Sequence, residues 1–122
     1  MIYGIGTDIC HVNRIAQAYA SYGERFVKRI LTKNEQAAFL NAPNATHFLA
    51  KRFAMKEAVS KALGTGIGEK LSFQDIEISR QDGQRPQVLL KQNNFAHLTL
   101  HISVSDEENY AIAYAIAEHI QK

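Results

Sequence analysis

Glu57 and Lys61 stand four residues apart in the run RFAMKEAVSKALGTGIG, residues 52–68. On a helix that spacing puts a carboxylate and an ammonium on one face. The run closes in a glycine-rich turn, Gly64-Thr65-Gly66, and far upstream GIGTD at 4–8 ends a short apolar stretch on a second acid, Asp8. Two carboxylates, lysines and a Gly-Thr-Gly turn are suitable parts for holding a metal-bound polyphosphate. Oxygen ligands from two acids favour Mg²⁺, which keeps waters and shares substrate phosphates. The combination makes the chain an enzyme candidate.

Each part also has a plainer explanation. Asp8, between a strand and a helical stretch, could simply cap or turn the chain. Glu57 and Lys61 could be a surface ion pair worth about 0.3–0.5 kcal/mol. Phe53 precedes Glu57 on its face and Ala54, Ala58 and Ala62 line the neighbouring stripe, which is less typical of a free surface carboxylate; periodicity alone leaves the choice open. A phosphate at the turn would face the negative end of the helix dipole. Binding there would have to come from Arg52, Lys56 or Lys61, and from turn amides acting as a nest. No P-loop spacing and no G-x-G-x-x-G is present. His11, His47, His97, His101 and His119 show no H-E-x-x-H or finger spacing, which argues against zinc, and Ser103 and Ser105 lack a nucleophile elbow.

These residues need positioning. Residues 2–7 read as a strand with Gly4 and Gly6 on one face, where another backbone can approach closely. Asn13 could cap a helix through 22, and after Gly23 a short helix over 24–30 carries basic residues. Thr32 with Glu35 is a capping box, starting a helix to about 40. After a loop at 41–44 the pattern predicts a long helix over 46–63, stopped by Gly64 in left-handed conformation. The period then changes to two. Strands are expected at 75–79, 87–91, 98–105 and 110–117, with a turn at Asp82-Gly83. The last, YAIAYAIA, puts tyrosines and isoleucines on one face and four alanines on the other, and the alanine face could lie close to a helix or a neighbouring subunit. The expected architecture is one α+β domain over 1–122: a helical N-terminal half with a long central helix packed on a mainly antiparallel sheet.

Composition agrees. At 122 residues, with 46% hydrophobic and 21% charged residues, the chain fits a single soluble globular domain, and a net charge of +2 is too small to imply nucleic acid. Arg14, Arg25, Lys28, Arg29 and Lys33 face only Glu24, whereas the last stretch holds Asp106, Glu107, Glu108 and Glu118. A basic stripe suggests an acidic macromolecular partner, though a solvated helix face gives the same pattern. Cys10 is the only cysteine, which fits a reducing compartment. The first residues carry no basic region followed by a long apolar run, and no uncharged apolar stretch approaches the roughly 20 residues of a membrane span. A cytoplasmic location with no membrane association is expected.

Several segments together resemble the holo-(acyl-carrier-protein) synthase family of 4'-phosphopantetheinyl transferases. They are GIGTDI at 4–9 with Arg14-Ile15, KRILTKNE at 28–35, LAKRFAMKEAVSKALGTGIG at 49–68, SFQDIEI at 72–78, Gly83 with Pro86, and HISVSDEENYAIA from His101. The resemblance spans nearly the whole chain. It implies the 4'-phosphopantetheinyl transferase fold and Mg²⁺-dependent transfer of the phosphopantetheine arm of coenzyme A to a serine of apo acyl carrier protein. That reaction releases adenosine 3',5'-bisphosphate and supports fatty acid biosynthesis. It also implies a homotrimer with active sites between subunits.

Residue by residue, Asp8 and Glu57 match the two acids that hold Mg²⁺ with the coenzyme A pyrophosphate. Lys61 matches the lysine at that phosphate, and Gly64, Thr65 and Gly66 match the turn near the nucleotide; Arg52 is expected to bind the substrate on its charge alone, not from the family match. Arg14, Arg25, Lys28 and Arg29 match the face that receives the carrier protein. Glu57, directly or through a metal-bound water, is the candidate acceptor of the serine proton. The chain departs from the family in two places. Asp106 stands where many members have a histidine, so a contact assigned to that histidine does not transfer. Residues 91–97 leave little room for the usual helix. Two rivals rank below the transferase. One is a small nucleic-acid-binding module, which lacks the aromatic-rich sheet signature; the other is a non-catalytic trimer built on the alanine face.

Overall fold

Ten residues, Ile2–His11, form β1, and the chain turns directly into α1 (Val12–Tyr22) and α2 (Glu24–Ile30). Next come α3 (Lys33–Leu40) and the long α4 (Ala45–Leu63). A 3-10 turn at Phe73–Asp75 leads into β2 (Ile76–Ser79) and β3 (Gln87–Leu90), and a second at Asn93–Phe95 precedes β4 (Leu98–Asp106) and β5 (Tyr110–His119). This computed structural model describes residues 1–81 and 83–120. The expected Asp82-Gly83 turn is therefore seen at Gly83, with φ 74°, while Asp82 lies outside the described residues. The α+β class is as expected, all pairing is antiparallel, and the strands divide into a three-stranded sheet, order β1-β5-β4, and a β2-β3 ribbon.

Helix α4 lies on the three-stranded sheet with almost nothing between the backbones. On the sheet side the inward residues are Gly4, Gly6, Asp8 and Cys10 of β1, paired across the ladder with Ala117, Ala115, Ala113 and Ala111 of β5. On the helix side they are Ala54, Ala58 and Ala62, all buried. A Cβ at Gly4 would sit 2.0 Å from the Ala62 carbonyl oxygen, and one at Gly6 would sit 2.0 Å from that of Ala58. Here glycine is needed for space, because neither residue has positive φ. The alanine face of β5 thus meets the helix, and the larger residues around it, among them Leu49, Val59, Leu63, Leu71 and Ile76, complete the core.

A buried carboxylate holds the helices to the ribbon. Glu35 closes the expected capping box, accepting from the Thr32 amide at 2.8 Å. It also accepts from Lys56 Nζ at 2.5 Å, Arg52 Nε at 3.3 Å and the Ile78 amide at 3.1 Å, so one side chain joins α3, α4 and β2. Lys56 is fully buried and donates further to the carbonyls of Ile30 and Phe73. Burial drives the Lys56 ammonium toward its neutral form and the Glu35 charge opposes it. A buried charge of this kind persists because its donors are all matched.

Three expectations change. β1 runs on to His11, so Asp8 sits inside a strand and faces α4. The cap of α1 is His11, whose Nδ1 accepts from the Asn13 amide, so Asn13 is the residue capped. The short 91–97 segment still makes one helical turn, at Asn93–Phe95. The sheet face away from α4 exposes Ile5, Ile9, Tyr110, Tyr114 and Ile116. No helix among the described residues is long and apolar enough to cross a membrane.

Two substitutions separate these supports. Gly6→Ala should lose at least the about 1–3 kcal/mol typical of overpacking, because backbone oxygen is what the methyl meets. Glu35→Ala should lose about 3–5 kcal/mol by leaving Lys56 buried without its anion. Urea denaturation midpoints measure both; a wild-type midpoint for Gly6→Ala would show that α4 can lift away from the sheet freely.

Candidate active site

Asp8 reaches the site because it continues the Gly4, Gly6 side of β1. Glycines let α4 settle onto the strand, and the next inward residue then meets the helix flank that carries Glu57 and Lys61. Lys61 Nζ donates to Asp8 Oδ1 and to the Thr7 carbonyl, both at 3.0 Å. The lysine is 49% exposed and Asp8 14%. Asp8 Oδ2 is buried with no hydrogen-bond partner, the one such side-chain atom among the described residues. A carboxylate oxygen left so is costly unless a further cation or donor serves it.

Glu57 shares this space. Burial pushes its carboxyl above the ordinary carboxylate range, the Asp8 charge pushes the same way, and Lys61 opposes both. The Cys10 thiol beneath is raised to about 11, first by burial and then by Asp8, with Arg14 opposing and Glu57 adding. Asp8, Glu57, Lys61, Cys10 and Arg14 therefore share one electrostatic neighbourhood. Two hard oxygen donors, one with a free buried lone-pair site, fit a divalent cation such as Mg²⁺. No group of three or more His, Cys, Asp or Glu is assembled among the described residues. A cation here would take its remaining ligands from water and phosphate, as Mg²⁺ does.

Other candidate residues lie elsewhere. Arg52 and Lys56 sit on a flank of α4 turned about 100° from Glu57 and Lys61. Arg52 is buried, joined to Glu35 and stacked over Phe48 at 4.5 Å, and Lys56 is enclosed. Neither joins the two acids, because Glu35 holds both. The turn keeps its amides too: Thr65 and Gly66 donate to the Ser60 carbonyl at 3.1 and 3.2 Å, and Gly68 to Leu71. Gly64, at φ 83°, stops the helix as expected. So these amides form no open nest, and Lys61 is the cation that α4 brings to the acids. Asp106 pairs with His47 at 2.7 Å, tying the end of β4 to the first turn of α4, about 15 Å of helix rise from Glu57.

Arg14, Arg25, Lys28 and Arg29 are exposed on α1 and α2. Arg25 and Arg29 flank an open cleft of about 400 Å³ with Ala18, Tyr22 and Phe26. Sequence reasoning had no means of finding Glu35 as the common anchor of Arg52 and Lys56, since its partners lie in three different elements; the capping box was the only signal it gave.

Comparison with known proteins bears on the family and the fold. The model of the 4'-phosphopantetheinyl transferase superfamily matches residues 4–115. A holo-(acyl-carrier-protein) synthase of Chlamydia muridarum is 49% identical over 120 residues, covering 96% of this chain and 95% of that protein. One from Shewanella pealeana is 43% identical over 130 residues, covering 97% and 99%. Among solved structures, the Neisseria meningitidis synthase superposes with a TM-score of 0.90 at 39% identity, covering 97% of this chain and 99% of that one. The Bacillus anthracis synthase, solved in complex with CoA (3',5'-ADP), gives 0.87 at 38% identity, covering 98% and 99%.

The raised Glu57 carboxyl has a consequence for stability. A folded-state value above the unfolded one favours the folded protein at low pH, and that contribution is lost as pH rises from the ordinary value of 4.5 through the raised one. In EDTA, Glu57→Gln should therefore melt higher than wild type at pH 7.5, and the difference should close by about pH 4. Melting temperatures across that range test it; equal values at pH 7.5 would show that the Glu57 charge carries no penalty.

Proposed function

The chain belongs to the holo-(acyl-carrier-protein) synthase family within the 4'-phosphopantetheinyl transferase superfamily, and we propose that it transfers the 4'-phosphopantetheine arm of coenzyme A to a serine of apo acyl carrier protein, with Mg²⁺, in support of fatty acid biosynthesis. The observation that carries the reading is the meeting of Asp8, Glu57 and Lys61, with Asp8 Oδ2 buried and unpartnered.

Asp8 and Glu57 would hold Mg²⁺, which when bound neutralises charge on the pyrophosphate oxygens of coenzyme A. The serine hydroxyl attacks the phosphorus that bears the pantetheine arm, the bond from that phosphorus to the bridging oxygen breaks, and adenosine 3',5'-bisphosphate leaves. Lys61, on an exposed and flexible stem, places its ammonium at the phosphate and stabilises charge growing on the leaving side. Glu57, directly or through an intervening water, would take the serine proton.

Arg14 and the α2 cations Arg25, Lys28 and Arg29 suit an acidic carrier protein, which they would steer by charge. The Tyr22–Phe26 cleft between them offers an apolar foothold. The sheet face bearing Ile5, Ile9, Tyr114 and Ile116 is too apolar and too continuous to suit a monomer, and we assign it to a homotrimer interface. The arm would be added in the cytoplasm.

Intact-mass analysis tests the reaction. Apo acyl carrier protein incubated with the protein, coenzyme A and Mg²⁺ should gain one phosphopantetheine, roughly 340 Da from the composition of the arm, and should not do so in EDTA. Alanine at Asp8 or at Glu57 should abolish the gain without unfolding the protein; full activity in both variants would refute the assignment of the metal to these acids. For assembly, Tyr114→Arg should convert a trimer to monomers in light scattering. A wild-type monomer at micromolar concentration would remove the interface from the proposal.

A further inference from the structure

Two carboxylates and one ammonium make up the centre of the site, and the ammonium serves only one of the acids. Lys61 contacts Asp8 and the Thr7 carbonyl. No hydrogen bond or ion pair to the Glu57 carboxylate is formed among the described residues; Ser60 meets only its backbone oxygen. The two partners also differ in freedom. Asp8 is fixed by the β1–β5 ladder and largely enclosed, whereas Lys61 leaves the last turn of α4 on a half-exposed stem. The ammonium can move away from the acid far more easily than the acid can follow it.

We propose, building on the transferase reading above, that the Lys61 ammonium and a divalent cation are alternative partners of Asp8, so that cation binding releases Lys61 to the phosphates of the nucleotide. Lys61 holds Asp8 neutralised until a stronger cation reaches the same carboxylate through its free Oδ2 and through Glu57. A doubly charged ion beside the ammonium then repels it. The phosphates give it a new anion within reach of the same stem. Cation and nucleotide therefore each favour the arrangement the other needs, which is a positive coupling between their sites, equal in both directions. Lys61 is in this way a positioning residue for the metal as well as a contact for the substrate.

The test uses Mn²⁺, followed by its electron paramagnetic resonance, on the full-length wild type, Lys61→Met and Asp8→Asn, each with and without adenosine 3',5'-bisphosphate. The nitrogen resonance of the Lys61 side chain is followed separately while Mg²⁺ is added. In Lys61→Met, with the competing ammonium gone, Mn²⁺ alone should bind roughly two- to fivefold more tightly than in wild type, the scale of a part-exposed ion pair. The nucleotide should then enhance Mn²⁺ binding less than in wild type. Mg²⁺ should move the Lys61 resonance toward that of a free lysine before any nucleotide is present. Unchanged Mn²⁺ affinity in Lys61→Met together with a Lys61 resonance indifferent to Mg²⁺ would overturn the exchange. If Asp8→Asn loses Mn²⁺ in that same experiment, the metal site survives and only the exchange fails. If Asp8→Asn binds Mn²⁺ as wild type does, the metal site and the exchange fall together.

Discussion

Contact between the backbones of α4 and the central sheet is the constraint on which the site depends. A helix normally stands off a sheet by the thickness of the side chains packed between them. Here Gly4 and Gly6 on the strand leave space for the Ala58 and Ala62 carbonyls, and the alanines of β5 continue the same shallow floor. The result is that a short acid on the strand and a carboxylate and lysine on the helix come together without long loops. A methyl group at either glycine would push the helix out and carry Glu57 and Lys61 away from Asp8.

The helix itself has two differently charged flanks. On one, Lys56 and Arg52 are enclosed and held by Glu35, and they act as structure: they fix α4 to α3 and to the β2 ribbon. On the other, half-exposed Lys61 engages Asp8 and the neighbouring Thr7 carbonyl, while the partly buried Glu57 carboxylate makes no hydrogen bond among the described residues. Lysines only five residues apart on one helix thus meet different surroundings, one enclosed and one half-exposed. The difference lies in desolvation. A lysine with every proton matched by carbonyl and carboxylate inside the core has nowhere else to go, while a lysine on an exposed stem can change partners.

Two further surfaces lie outside the site, one apolar and one basic. The outer sheet face, apolar and open to solvent, is the reverse of the alanine floor: along β5 each alanine turned toward α4 alternates with a tyrosine or isoleucine turned away. One strand therefore supplies both the close packing against α4 and the exposed apolar face proposed for assembly. The basic residues of α1 and α2 lie on a separate face, with Arg14 near enough to the acids to act on the Cys10 thiol.

Local rules were legible in the sequence. The capping box at Thr32 and Glu35, the left-handed stop at Gly64, the glycine face of β1 and the alternation of β5 all follow from interactions within a few residues, and the structure holds each of them. Asp8, Glu57 and Lys61 were nominated by spacing and by family resemblance. What spacing could not decide was which lysine of α4 faces the acids, because Lys56 and Lys61 look alike until the buried partner of Lys56 is known. That partner, Glu35, lies on another helix, and its other donors come from Arg52 and Ile78. Asp106 finds His47 for the same reason, across residues far apart in the chain. Short-range steric and capping preferences are written in the order of the residues; the choice of partner for a charge depends on which surfaces fold against each other, and only the tertiary structure decides that.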